Sequence, residues 1–336
     1  MQTSFPTPTQ IAPDVWLIDL LEQGQPFRTG AYVICDTYPI LIETGAANSH
    51  AALLAGLNAI GLRPTDLAYV AVTHVHLDHA GGAGQFMAKA PQAKLLVHPR
   101  GARHMADPSR LFQGASDVYG KRILELFGPV QPVASEQIQI QEHESVISIG
   151  KRELTFFDTP GHANHHFSIV DPVSDIIVAG DAAGLRFRNE FTGFSFDFIM
   201  PSTSPVDFDP DAVSRTMALF RQLPANTILH THFGATPKAE ALDETERLCR
   251  AFAAIVNRRY DEDESVAGLA AELSDLMEQR LKELGHREFN LNRIADDFAI
   301  NAMGLLHYEL RRRRKLHAEA SGQTSTDGGA GGPSTN

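Results

Sequence analysis

A chain of 336 residues with 43% hydrophobic and 21% charged side chains is long enough and apolar enough for one large domain with an appendage, or two domains. Its formal charge of −12 argues against general affinity for nucleic acid, and two distant cysteines, Cys35 and Cys249, exclude a disulfide framework and argue against a cysteine metal site. The opening MQTSFPTPTQ lacks the basic start and apolar run of a signal peptide, and no apolar run reaches membrane-spanning length. The expectation is a soluble, cytoplasmic protein with no membrane partner.

In chain order, Val15 to Leu20, Thr29 to Cys35 and Pro39 to Ile42 read as short strands separated by turn residues. Glu43 sits at a strand end in LIETGAA, and Ser49 to Ile60 has helical periodicity that stops at Gly61. The apolar run Leu67 to Val72 reads as a buried strand, Gly81 to Ala90 as a helix packed through small residues, and Lys94 to His98 as a strand ended by Pro99. Arg100 to Gly128 is less regular, with a helical stretch from Val118 to Phe127 that would serve as a lid or insertion. Ile138 to Ile149, Leu154 to Phe157, Phe167 to Asp171 and Asp175 to Ala179 read as strands, followed by a phenylalanine-rich stretch from Leu185 to Pro205. A helix from Asp209 or Pro210 to Leu223 and a strand Thr227 to Leu229 complete a pattern that favours two sheets flanked by helices. After Gly234 three helical segments follow: Lys238 to Arg259, Ser265 to Leu284 and about Asn292 to Leu316. The low-complexity end, 321–336, is expected to be disordered.

The chemistry concentrates in THVHLDHAGG, Thr73 to Gly82, which places His74, His76, Asp78 and His79 directly after a buried strand. His74 and His76 point the same way only on an extended backbone, so His79 points elsewhere and one loop offers ligands to two adjacent metals. Imidazole nitrogens and a carboxylate oxygen suit zinc, and also iron or manganese. Three later strand ends supply more donors beside small residues: His162 in TPGHANHH, Asp181 in GDAAG, and His230 or His232 in HTHFG.

This ordered set resembles the metallo-β-lactamase superfamily over about residues 10 to 236. The resemblance implies a four-layer αβ/βα sandwich with the metal site at one edge of two facing sheets. It implies that His74, His76 and His162 bind one metal, that Asp78, His79 and a last histidine bind a second, and that Asp181 bridges them. The THFG setting selects His232 as that last ligand and leaves His230 behind it; His166 matches another histidine that stands behind the ligands. The two divalent ions, zinc by preference with iron or manganese as alternatives, would lower the pKa of a bridging water from ~15.7 toward ~7. The resulting hydroxide would attack a carbonyl or phosphoryl centre, with Asp78 able to carry a proton to the leaving group. Catalytic roles thus fall to Asp78 and Asp181.

The departures from relatives narrow the reading. Neither cysteine lies in a motif, which argues against antibiotic hydrolysis; a flavodoxin domain, the glutathione-binding residues of glyoxalase II and the extra domain of the nucleases have no clear match. A small-molecule substrate with an ester, lactone or thioester bond is expected. Phe187, Phe191, Phe194 and Tyr119 are candidates for its pocket or for plain core packing, and Arg186 and Arg188 for an anionic group or solvent. Expected boundaries are 1–236 for the catalytic domain and 237–320 for a helical region that caps the pocket, forms a homodimer, or both. Two alternatives remain: a mononuclear iron persulfide dioxygenase using only His74, His162 and Asp181, and a regulatory or protein-binding module with a largely structural metal site.

Overall fold

The structure is a computed structural model that describes residues 5–260 and 265–320. The expected disordered end, 321–336, lies outside the described residues. Seven strands form the first sheet in chain order: β1 (Thr9–Ala12), β2 (Val15–Asp19), β3 (Gly30–Ile34), β4 (Ile40–Ile42), β5 (Tyr69–Ala71), β6 (Lys94–Val97) and β7 (Ile138–Ile140). The first four are antiparallel neighbours, and β4 to β7 run parallel. The chain then passes into β8 (Val146–Ser148), β9 (Glu153–Asp158), β10 (Phe167–Asp171) and β11 (Ile176–Gly180) of a second sheet. A separate hairpin, β12 (Leu185–Phe187) with β13 (Phe198–Met200), precedes β14 (Thr227–His230) and β15 (Gly234–Pro237). The second sheet has the order β15-β14-β11-β10-β9-β8, parallel only between β11 and β14.

Strand alternation explains the layering. Along β3, Tyr32 and Ile34 point to the apolar layer between the sheets, where they meet Phe156, Phe167 and Ile169 of the second sheet. Ala31 and Val33 point the other way, into a second core. There they face α1 (His50–Ala59), α3 (Ala83–Met87) and α4 (Pro99–Ala106), with the short α2 (Leu77–Ala80) lying between the first two in sequence. Strands covered on both faces carry near-continuous apolar residues, which is why the central strands were readable.

α5 (Ser109–Tyr119) and α6 (Ile123–Phe127) pack together around Ala46 and Leu77, and α7 (Asn189–Thr192) lies within the β12–β13 hairpin. The outer face of the second sheet is covered by α8 (Pro210–Gln222) and α9 (Lys238–Arg259), and α10 (Val266–Glu283) and α11 (Ala295–Ala320) pack onto α9 and each other, in one core that includes Ile177, Ile228, Phe220, Phe252 and Phe298. The result is a four-layer αβ/βα sandwich with a C-terminal helical extension.

Three expectations change, and one stretch left without an assignment gains a structure. Ile138 to Ile149 is not one strand: residues 141–145 carry the chain from the first sheet to the second through a turn in which Ser145 N–H donates to Glu142 O (3.0 Å). QEHES contains no glycine or proline to signal that turn, although Glu144 adopts φ 60°. The helix expected over Gly81 to Ala90 is the shorter α3, and a separate one-turn helix, α2, precedes it within the histidine motif itself. The helix expected over Val118 to Phe127 is broken at Gly120 (φ 58°), and its first part belongs to α5, which includes the DPSRLFQG segment from Ser109 on. The phenylalanine-rich stretch is the β12–β13 hairpin with α7.

Candidate metal centre

The end of β5 is followed by extended backbone through His76 (φ −62°, ψ 154°) and then by the first turn of α2. His74 and His76 therefore project from the extended segment, whereas Asp78 and His79 project from a helical turn. His162 enters from the loop after β9, Asp181 from the end of β11 and His232 from the loop after β14. Gly180 (φ 54°) is demanded by its place: a Cβ there would lie 2.6 Å from both His166 Nε2 and Thr73 Oγ1.

Seven side chains meet at this edge. Inward nitrogens of His74, His76 and His162 lie 2.9 Å (His74 Nε2 to His76 Nδ1), 3.0 Å (His162 Nε2 to His76 Nδ1) and 3.2 Å (His162 Nε2 to His74 Nε2) apart. In a second group, His232 Nε2 is 3.3 Å from both Asp78 Oδ2 and His79 Nε2. Asp181 stands between the groups: Oδ2 is 3.7 Å from His162 Nε2, and Oδ1 is 3.4 Å from His79 Nε2 and 3.7 Å from His232 Nε2. Three combinations, His74-His76-His162, His74-His79-Asp181 and Asp78-His79-His232, each bring their donor atoms within 4.8 Å of one another.

The donor set fits metal ions on two observations. Asp181 Oδ1 is buried without any hydrogen-bond donor among the described residues, a costly state for a carboxylate oxygen unless a cation faces it. The imidazoles are also held in one tautomer from behind. His162 Nδ1 faces Ser202 O (3.2 Å), His232 Nδ1 faces Arg28 O (3.0 Å) and His79 Nδ1 faces a Glu43 carboxylate oxygen (3.3 Å). Each Nδ1 can donate to those oxygens, which directs Nε2 inward as the atom that binds a cation once its proton is displaced.

Burial, then the neighbouring imidazoles, push His74 and His76 well below the ordinary histidine range; burial likewise lowers His162. For His79 burial acts in the same direction, but the Asp78, Asp181 and Glu43 carboxylates outweigh it and raise its pKa to about 10. His232 is raised against burial by Asp181 and Asp78, while His79 and His232 hold Asp78 below the usual carboxylate range despite its burial.

Glu43 is the residue that sequence reasoning missed. It is fully buried at the end of β4, with φ 73°. Its Oε1 accepts from Thr73 Oγ1 (2.5 Å), whose hydroxyl oxygen in turn faces His74 Nδ1 (3.1 Å), and it also accepts from Thr231 Oγ1 (3.3 Å). One carboxylate thus stands behind His74 and His79 together; the only sequence signal was an acidic residue at a strand end followed by a glycine turn. His166 also stands behind the site: its Nδ1 meets Thr159 Oγ1 (2.8 Å) and its Nε2 accepts from the Asp181 backbone N–H (3.3 Å). His230 is buried outside the clusters, with Nδ1 on Gly184 O (2.8 Å).

A cavity of about 290 Å³ opens onto His76, Asp78, His162, Asp181 and His232. Tyr119, Phe187 and Phe191 line it, as do Leu111, Val118 and Ile300. Phe194 does not: it is 8% exposed and packs in the apolar core beneath the hairpin, against Phe198 and Phe289. Arg186 lines the wall but is paired with Asp197 (2.5 Å), and Arg188 is paired with Glu190 (2.6 Å). His98 is held by Asp158 (3.1 Å) as a structural residue, whereas His104 reaches the cavity wall. In the RRRRK run, Arg311 caps the carbonyls of Val206 and Phe208, and Arg312 and Arg313 pair with Glu309. Among the described residues no helix is long and apolar enough to cross a membrane.

Similar chains place this site in context. A metallo-β-lactamase fold-containing protein of Sulfurisphaera tokodaii is 26% identical over 179 residues, 52% of this chain and 61% of its own length. An N-acyl homoserine lactonase of Azorhizobium caulinodans is 28% identical over 139 residues, 41% of this chain and 46% of its own. The chain therefore matches less than two thirds of these relatives' length. Among solved structures, a metallo-β-lactamase family protein of Thermus thermophilus superposes with a TM-score of 0.59 at 19% identity, covering 91% of this chain and 95% of its own, a likeness of fold alone. The family model described as "Metallo-beta-lactamase superfamily" matches residues 25–232, well over half the chain, and that span takes in every side chain of both clusters. The chain belongs to the metallo-β-lactamase superfamily.

Proposed function

We propose that this protein is a dinuclear metal-dependent hydrolase that cleaves an ester, lactone or thioester bond of a small molecule. The observation that carries this reading is the meeting of two donor clusters across Asp181, whose two carboxylate oxygens face opposite clusters at the floor of the cavity. His74, His76 and His162 would hold one ion, Asp78, His79 and His232 the other, and Asp181 both. Two divalent ions, zinc by preference, would supply a hydroxide nucleophile at neutral pH and polarise the oxygen of the electrophile.

The chain's own residues do the rest. Glu43, Ser202 and Arg28 O fix the imidazole tautomers, and His166 and Ser202 fix Asp181. Asp78, a quarter exposed toward the cavity, is placed to accept a proton and return it to the leaving group. Leu111, Val118, Tyr119, Phe187, Phe191 and Ile300 offer an apolar wall that excludes water and receives an acyl portion. The likeness to an N-acyl homoserine lactonase supports lactones as the first substrates to try.

The second cluster favours this reading over a mononuclear persulfide dioxygenase, which would need only His74, His162 and Asp181. The test joins metal analysis of protein purified without chelators to a panel of lactones, thioesters and phosphodiesters. Two divalent ions per chain with turnover of a lactone or thioester is the expected outcome. A single iron per chain with oxygen uptake on a persulfide would replace the proposal, and so would phosphodiester turnover alone.

A further inference from the structure

We propose that Asp297 and Asn301, one helical turn apart on α11, are positioning residues that hold the two donor clusters from outside the matched family span, so that the C-terminal helix is part of the metal site. The inference rests on the metal-binding half of the proposed function and on no particular substrate.

The first brace runs from Asp297 to His232. The Asp297 carboxylate forms a two-point contact with the Arg28 guanidinium (3.2 and 3.5 Å), and Glu22 closes on Arg28 Nε from the other side (3.4 Å). Arg28 O and Thr29 Oγ1 are the two oxygens within 3.0 Å of His232 Nδ1, and Thr29 Oγ1 itself donates to Glu22. The segment that fixes the tautomer and orientation of His232 is thus tied down by a planar guanidinium–carboxylate pair whose second half comes from α11. Such forked pairs fix position as well as charge.

The second brace runs from Asn301 to His162 and Asp181. Asn301 Oδ1 lies 2.7 Å from both Thr203 N and Thr203 Oγ1, while Asn301 Nδ2 donates to Asp297 O (2.9 Å), which sets the orientation of its amide. Thr203 follows Ser202, whose carbonyl takes the His162 Nδ1 proton (3.2 Å) and whose hydroxyl donates to Asp181 Oδ2 (3.2 Å). One turn further along the same face, Gly304 brings the helix against this loop: a Cβ there would lie 1.7 Å from Thr203 O. Asp297 and Asn301 are 8% and 3% exposed, so both contacts are shielded from water. Positions 297, 301 and 304 share one helix face, and that face is polar or small where an ordinary packing stripe would be apolar.

Partners behind metal ligands are worth about 10–100-fold in affinity. Full-length Asp297→Asn, Asn301→Ala and Asn301→Asp are compared with the unsubstituted protein by chelator competition with zinc and by the visible spectrum of the cobalt(II) form. Arg221→Ala, which removes exposed ion pairs to Asp243 and Glu246 away from the site, serves as the control for stability alone. Asp297→Asn should weaken retention of one ion by about 10–100-fold, Asn301→Ala should do so for the other, and both should shift the cobalt spectrum. Asn301→Asp keeps the acceptor for Thr203 and should restore most of the affinity; Arg221→Ala should change neither readout. Wild-type affinities and spectra in Asp297→Asn, with Asn301→Ala either matching them or failing to fold, would overturn the brace while leaving the hydrolase standing. An unsubstituted protein that takes up no metal would overturn both.

Discussion

The two donor clusters share a sheet edge and a bridging aspartate, yet they are built on different electrostatics. His74, His76 and His162 form a group of imidazoles that burial keeps neutral, so it offers lone pairs and no charge. Asp78, His79 and His232 form a group whose anion and imidazoles balance one another, with Glu43 adding negative charge from behind. A buried charge tolerates removal of its partner badly, whereas a neutral group loses mainly one donor. The difference teaches that equal-looking ligands at this edge should not be equal in effect when replaced.

The most disruptive way to break the comparison is Asp181→Ala, which removes the one side chain that serves both clusters. Hydrolysis should fall roughly 10⁴-fold or more, as for a member of a cooperating catalytic set, with loss of bound metal by elemental analysis. Asp78→Asn and His76→Asn separate the clusters: each should cut stoichiometry from two ions to one, with the Asp78 variant also losing more thermal stability. Equal losses in both would count against the electrostatic distinction. Glu43→Gln keeps shape but discharges the carboxylate behind His74 and His79, and should loosen both ions by about 10–100-fold in competition titrations. Ser202→Ala touches only the Asp181 side through one hydroxyl and should cost about 1 kcal/mol, near fivefold in affinity. Phe191→Ala lies on the cavity wall, so it should leave metal content unchanged. It should raise KM about tenfold for substrates with an apolar chain, and hardly at all for short ones.

The sandwich and the site were legible to different depths. The central strands could be read because burial on both faces writes them as apolar runs, and the seven donors because each follows such a run beside a small residue. His232 could be separated from His230 only by the resemblance of its THFG setting; the structure brings His232 into a donor cluster and leaves His230 beneath, on Gly184 O. Glu43 was passed over because a single acidic residue at a strand end has no spacing to mark it. The 141–145 crossover was hidden because QEHES has no glycine or proline to mark a turn between the flanking apolar stretches, and Phe194 looked like a wall residue because composition cannot say which side of a hairpin faces the cavity. Asp297 and Asn301 lay beyond reach for a related reason: helical periodicity shows that α11 buries a face, and nothing local says against what.

The cavity wall draws on segments far apart in the chain, and synthesis delivers them one after another. Leu111 and Tyr119 emerge from the ribosome early, Phe187 and Phe191 later, and Ile300 last. Every donor from His74 to His232 is therefore synthesised before the helix that packs against Thr203 and Arg28. The enclosed cavity is complete only once Ile300 of α11 has joined its wall.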